Sequence, residues 1–147
     1  MNITRLSLLI WLLGMGCLSK IQDRNAIPQT SPDVDHSFET FFAKFSVDSN
    51  FQSSRIIFPL KYSFYDSVND VVVETETTSV QWRYVDFTKD SLSEKKEAAA
   101  YSIETIKKGT SNAEYKIRGI DNGIMKSYIF EMKASHWFLV EIQNRST

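Results

Sequence analysis

Residues 34–45 read VDHSFETFFAKF, and their apolar side chains recur at the spacing of an α-helix. Successive apolar positions are four, three, one and three residues apart, so they share one helix face. These positions are Val34, Phe38, Phe41, Phe42 and Phe45. A face with four phenylalanine rings needs a broad apolar partner, and a β-sheet supplies one. We expect this helix to begin at Pro32 and Asp33, with Ser31 as the residue that caps it.

The chain after this helix changes from helical to strand-like patterning. Residues 48–55 suggest a second, shorter helix, and alternation with period two begins at Lys61. The stretch Val71–Val80 is rich in valine and threonine, which favour strands. Residues 81–87 again alternate large rings with other side chains.

The last third of the chain predicts a meander of strands. Residues 91–108 are ambiguous, because they begin like a helix and continue like a strand. Strands are expected at 115–120, 124–132 and 136–143. The sequence Asp121-Asn122-Gly123 favours a tight turn between the first two, because Asn and Gly tolerate positive φ. Alternation along the last strand places His136, Phe138, Val140 and Ile142 on one face and Trp137, Leu139 and Glu141 on the other.

Helices first and antiparallel strands last favour an α+β domain with its N-terminal helices packed on one face of a curved antiparallel sheet. This order is similar to the nuclear-transport-factor-two-like, or cystatin-like, cone fold. A more specific block also resembles an uncharacterised family of exported proteins from gut-type anaerobic bacteria, many with lipoprotein signals. The block comprises Phe41-Phe42-Ala43-Lys44-Phe45, Asp48, Phe51-Gln52, Arg55-Ile56 and Phe58-Pro59-Leu60. The family has no assigned activity, so the resemblance implies a fold but no catalytic residue.

The N-terminus has the layout of a bacterial secretion signal. A weakly basic start, Met1–Arg5, is followed by the apolar run Leu6–Met15 and then by Gly16 and Cys17. About ten apolar residues are too few to span a bilayer, which takes roughly 20, but they suit a signal peptide. The alternative is a buried N-terminal helix or strand, against which stand Trp11 in an all-round apolar run and the lack of a helix cap.

Cys17 is the only cysteine in the chain, so it cannot form an internal disulfide. The sequence Leu13–Cys17 resembles a lipoprotein box, which predicts acylation of Cys17 as the new N-terminus. In the alternative, a peptidase cuts near Gly14 or Gly16 and releases a free, secreted domain.

These assignments divide the chain into three parts. Residues 1–16 are a signal peptide, 17–31 a flexible tether, and 32–147 a single α+β domain. Pro28 and the lack of any helical or strand period support the tether, although an unimportant disordered terminus predicts the same residues. An acylated chain would be a membrane-anchored lipoprotein of the bacterial envelope.

Composition limits the partners of this domain. The chain is 42% hydrophobic and 13% aromatic, which is enough for a real core. Seventeen Lys and Arg against 18 Asp and Glu give a net charge of −1, without the basic patch that nucleic acid requires. The two histidines, His36 and His136, are too far apart for a metal-site spacing, and no motif points to a cofactor.

Five residues have side chains that serve as acids, bases or oxyanion donors in enzymes of this fold: His36, Asp48, Tyr84, His136 and Glu141. His36 follows Asp33 and Asp35, a pattern that would suit a metal but fits an exposed first helical turn better. His136 is better explained as a residue at the end of a turn. No nucleophile elbow or phosphate loop accompanies these residues.

Four aromatic residues on the strands are candidates for the mouth of a cone pocket, although strand aromatics more often belong to the core. They are Trp82, Tyr84, Tyr128 and Trp137. Arg55 is a fifth candidate, and it either pairs with Asp48 or a helix end or binds an anion.

Three functions remain open on this basis. The favoured one is a non-catalytic envelope module that binds a small apolar ligand or a peptide in a cone pocket. The second is a structural or assembly partner of other envelope proteins. The least favoured is a small enzyme, which needs titratable groups that converge in the pocket.

Overall fold

The structure, a computed structural model, describes residues 33–88 and 101–147 of the chain. Two short helices precede six strands. They are α1 (Phe38–Phe45), α2 (Ser49–Ser54), β1 (Ile56–Asp66), β2 (Val71–Thr77), β3 (Tyr101–Lys108), β4 (Asn112–Gly119), β5 (Met125–Lys133) and β6 (His136–Asn144). The predicted signal peptide, Cys17, the tether and the helix-like start of 91–108 lie outside the described residues. Within those residues, no helix is long and apolar enough to cross a membrane.

The six strands form one sheet in the order β2-β1-β6-β5-β4-β3. Four of the five neighbouring pairs are antiparallel, but β1 and β6 run parallel. The predicted α+β class is therefore confirmed, whereas the antiparallel sheet is in fact mixed. The exception arises because β1 and β6 are far apart in the chain, so no hairpin sets their relative direction.

Helix α1 begins at Phe38, later than the sequence pattern predicts. Ser37 is its N-cap, with extended backbone and a side-chain oxygen that accepts a hydrogen bond from Thr40 N at 3.2 Å. The residues before the cap form a turn that is not part of the helix. In this turn, Asp33 Oδ1 accepts a hydrogen bond from Asp35 N at 3.1 Å. Asp35 therefore lies outside the helix, and its side chain is buried.

The phenylalanine face of α1 forms the centre of the core. Phe41 and Phe45 are fully buried, and both rings pack edge-on against Phe130 of β5, at centroid distances of 5.8 and 5.3 Å. Burial of each such side chain stabilises the fold by about 1.5–3 kcal/mol. The predicted packing of this face on the sheet is confirmed.

Helix α2 forms where the sequence places it. Asp48 is its N-cap, and its Oδ1 accepts hydrogen bonds from Asn50 N and Phe51 N at 3.0 and 2.9 Å. A short helix of this kind depends on its cap, because its first N–H groups otherwise have no partner.

Gln52 of α2 holds the segment that follows β2. Its side chain is fully buried, and Nε2 donates to the carbonyls of Phe45 and Val85 at 3.0 and 2.8 Å. Val85 N in turn donates to Gln52 Oε1 at 2.9 Å. The amide thus takes the hydrogen-bonding place of a neighbouring strand, and 81–87 are irregular despite their alternating pattern.

Strand β6 contains an irregularity that the alternating pattern does not reveal. Leu139 and Glu141 pair with consecutive residues of β5, so Val140 between them has no partner on that strand. A bulge of one residue inverts the alternation beyond it. Ile142 therefore lies in the core with Leu139 instead of on the opposite face.

Candidate functional site

Asp35 is the centre of the strongest polar cluster in the described part of the chain. Its side chain is 1% exposed, and its carboxylate accepts four hydrogen bonds. Oδ1 accepts from Trp137 N at 2.9 Å and Arg55 Nη1 at 3.3 Å. Oδ2 accepts from Arg55 Nη2 at 2.7 Å and lies 2.8 Å from His136 Nδ1. An ionised carboxylate can only accept, so the proton of this last bond belongs to Nδ1.

The electrostatics of the cluster keep Asp35 charged. Burial alone would raise the pKa of Asp35, but hydrogen bonds from Trp137 N, His136 and Arg55 outweigh it and hold the pKa below its ordinary value of 3.8. The guanidinium of Arg55 is 15% exposed and lies over the ring of Phe51, with its Cζ 5.0 Å from the ring centroid. Arg55 therefore forms an ion pair, but with Asp35, whereas Asp48 caps α2.

The cluster can orient the side chain of His136. The hydrogen bond to Asp35 orients the ring of His136, whose side chain is 53% exposed. In the described residues, Asp35 is the hydrogen-bond partner of His136, and no hydroxyl or thiol joins them. What the cluster visibly does is connect three elements: the turn before α1, the end of α2 and the start of β6.

A second feature is a cleft between α1 and β3. It has a volume of about 330 Å³, and Phe38, Phe42 and Ala43 give it an apolar wall. Glu39 of α1 and Lys107 of β3 form an ion pair across it. The hydrogen bond from Lys107 lowers the pKa of Glu39, but both side chains are more than half exposed, so the pair adds little stability.

This cleft continues into a neighbouring one of about 250 Å³, which shares Phe38, Glu39 and Lys107 with it. Met132 and Trp137 line the continuation. The indole Nε1 of Trp137 is buried and has no hydrogen-bond partner among the described residues. A buried donor without a partner is unusual in a folded protein.

The structure does not bring the five predicted pocket residues together. Trp137 lines the cleft between α1 and β3, but Tyr128 is 3% exposed and belongs to the core. Trp82 packs against the core from outside, and Tyr84 is 41% exposed, with its hydroxyl donating to the backbone carbonyl of Ser46 at 2.9 Å.

The remaining candidates by residue type lie apart from one another. His36 is exposed, with Nδ1 3.4 Å from Thr40 Oγ1. Glu141 lies on the sheet face opposite the helices and accepts from Gln143 Nε2 at 2.7 Å. In residues 33–88 and 101–147, no group of three or more His, Cys, Asp or Glu is arranged to hold a metal ion.

Sequence reasoning missed Asp35 because it assigned this residue to an exposed first turn of α1. A usable signal was present in Ser37, which is as good an N-cap as Ser31 and lies directly before the phenylalanine run. A helix that begins after Ser37 leaves Asp35 on the preceding turn, where a carboxylate can reach other elements.

Two helices packed on a curved six-stranded sheet form the nuclear-transport-factor-two-like fold, which is of the α+β class. An NTF2-like protein from Bacteroides fragilis matches with a TM-score of 0.55 and 24% identity, over 76% of this chain and 47% of that one. A cystatin-like protein from Bacteroides caccae has a TM-score of 0.53 and 20% identity, over 72% of this chain and 74% of that one. A protein from Bacteroides uniformis has a TM-score of 0.53, 21% identity and the same coverage. These identities show the fold alone, and the chain spans less than half of the Bacteroides fragilis protein.

Residues 15–144 match the family described as Domain of unknown function (DUF4348), and the chain belongs to this family. No curated protein matches the chain. The resemblance to NTF2-like and cystatin-like proteins of gut-type bacteria is thereby confirmed. Export and acylation of Cys17 stay predictions.

Proposed function

We propose that this protein is a non-catalytic binding module of the bacterial cell envelope, which holds a small apolar ligand or an apolar peptide side chain between α1 and β3. The observation that carries the proposal is the cleft beside Phe38 and Phe42, because it has an apolar wall and continues to the side chain of Trp137. Apolar walls with a few polar groups are typical of small-molecule sites.

The packing of the core favours a ligand site in this cleft over a site between α1 and the centre of the sheet. The rings of Phe41 and Phe45 already fill the space above Phe130, and all three are fully buried. A ligand that entered there would have to displace close-packed rings, which protein interiors resist. The cleft beside α1 needs no such displacement.

The place in the envelope rests on the N-terminal sequence. The apolar run Leu6–Met15 before Cys17 suits a secretion signal, and acylation of Cys17 would anchor the protein to a membrane. Without acylation the same module would be secreted. The proposed partners are a small ligand or another envelope protein and, if Cys17 is acylated, also the membrane.

Binding of an uncharged apolar dye, 1-N-phenylnaphthylamine, to the full chain tests the cleft. The variant Ala43→Trp places a large ring on the exposed cleft wall, so we expect dye affinity to fall by about tenfold or more. Asn50→Trp, an exposed position on α2, is the matched control and should bind the dye normally. Both variants keep the N-terminal apolar run, so only the cleft differs. Unchanged binding by Ala43→Trp, with an unchanged melting temperature, would refute the proposal.

An assembly role is the second candidate, and the observation that favours it is strand β2. This strand is at one end of the sheet, and its residues Val71 and Val72 are 47% and 49% exposed. Exposed edge strands pair readily with other chains. A photo-crosslinking amino acid at Val72 or at Ala43 in the living cell would separate the two roles. Protein adducts confined to Val72 favour assembly, and adducts confined to Ala43 favour the cleft.

A further inference from the structure

The sheet face opposite the helices, which we term the outer face, contains a hollow over β1. Ser63 of β1 lies in register between Glu74 of β2 and Gln143 of β6. Neighbouring strands are about 4.8 Å apart, so the short serine is flanked on both sides by long side chains. The result is a groove of about 390 Å³ that Ser63 and Glu74 help to line.

The hydroxyl at the bottom of this groove lacks a partner. Ser63 is 5% exposed, and its Oγ has no hydrogen bond in the described part of the chain. A buried hydroxyl without a partner is destabilising and rare in folded proteins. Since a hydroxyl both donates and accepts, a bound polar group would satisfy it.

The charge of the groove selects the kind of group. Glu76 of β2, Lys61 of β1 and Glu141 of β6 form the adjacent row of the outer face, and all three line the groove. With Glu74, the groove carries three carboxylates and one ammonium, a net charge of −2. The carboxylates of Glu74 and Glu76 have neither an ion pair nor a hydrogen bond among the described residues, so both can accept.

The side chains of the groove do not suit a metal ion. No three acidic or histidine side chains in residues 33–88 and 101–147 are arranged around one metal position, and Lys61 adds a positive charge to the groove. A primary ammonium, in contrast, carries three N–H donors and one charge. We propose that the groove binds a primary ammonium group, with Ser63 Oγ, Glu74 and Glu76 as its acceptors. The group can come from a small free amine or from a lysine side chain.

A titration of the ¹⁵N-labelled full chain with 1,5-diaminopentane, followed by backbone amide shifts, tests this site. We expect saturable shifts centred on Ser63 and Glu74. Glu74→Gln and Glu76→Gln should each weaken binding by about tenfold, because each removes a charged acceptor. Glu104→Gln, an exposed outer-face position on β3, is the matched control and should bind normally.

Ser63→Ala separates binding from folding. This variant should also bind the diamine more weakly, yet its melting temperature should not fall, because the lost hydroxyl has no partner in the fold. N-acetyl-lysine amide tells the two sources apart. If both probes bind equally, the ammonium group of a lysine side chain is enough for binding. If only the diamine binds, the site takes a small free amine.

Three results would overturn the proposal. Equal shifts with tetramethylammonium, which has the charge without N–H donors, would show a general charge effect. Stronger binding of Ca²⁺ would show a metal site. Diamine binding that is unchanged in the three variants would place the amine elsewhere on the protein.

Discussion

Replacement of Asp35 by asparagine tests the main polar cluster of the fold. The amide keeps one oxygen, which still accepts the hydrogen bond from Trp137 N. The other position becomes an NH₂ group that cannot accept, so Arg55 Nη2 and His136 Nδ1 lose their partner at 2.7 and 2.8 Å. Arg55 is then a largely buried charge without a counter-ion.

The expected loss of stability follows from these two bonds. Hydrogen bonds to a charged group contribute about 1.5–3 kcal/mol each, so two of them amount to roughly 3–6 kcal/mol. His136 is 53% exposed and can bond to water instead, which reduces the sum. We therefore expect the free energy of unfolding to fall by about 3 kcal/mol, close to the lower end for removal of one partner from a buried ion pair.

Urea unfolding at pH 7 measures this change, with Glu39→Gln as the control. Glu39 also pairs with a lysine, but at an exposed position, so its loss should change the free energy of unfolding far less than the loss of Asp35. The pKa of Asp35 is lowered in the folded protein, so its contribution is present above the unfolded value and is lost as the pH falls through the folded pKa. The difference between wild type and Asp35→Asn should therefore shrink below about pH 4. A variant as stable as the wild type, or a difference that grows in acid, would refute the reasoning.

Other substitutions test the remaining contacts of the fold by urea unfolding. Gln52→Met removes three hydrogen bonds from buried backbone groups and should cost about 3 kcal/mol, whereas the exposed Ser53→Ala on the same helix should change little. A small effect at Gln52 would mean that water replaces its amide. Phe45→Ala empties the centre of the core and should cost about 3–5 kcal/mol, against about 0.5 kcal/mol or less for Val68→Ala, which is 89% exposed. Equal losses at the two sites would contradict the packing described. Asp48→Ala removes the cap of α2 and should lower the free energy of unfolding by about 1 kcal/mol. Asp48→Asn keeps a capping oxygen and should retain most of this stability.

Local patterns predicted much of the fold correctly. The phenylalanine spacing of α1 identified the face that packs on the sheet, and Asp48 marked the start of α2. A turn joins β4 and β5 as predicted, but its positive φ values lie at Asp121 (57°) and Gly123 (68°), so glycine behaves as expected and Asn122 does not. In each case the cause lies within a few residues of the element, where sequence patterns are informative.

Contacts between distant residues were not predictable in the same way. His136 and Asp35 are 101 positions apart, and neither shows a local sign of the other. Gln52 sits on a short helix where a glutamine is usually exposed, and only the fold brings the backbone of Val85 to it. The bulge at Val140 leaves no trace in the alternation of its neighbours.

The position of β6 in the sheet has a consequence for the order in which the sheet forms. All five other strands precede it, yet it lies in the interior of the sheet between β1 and β5 and supplies Trp137 N to Asp35. During folding, the β1–β2 hairpin and the β3–β5 meander can form separately, but they share no strand, and β6 is the strand that joins them in the sheet. The sheet is complete only when β6 has paired with both, so until then β1 and β5 each have an unpaired edge.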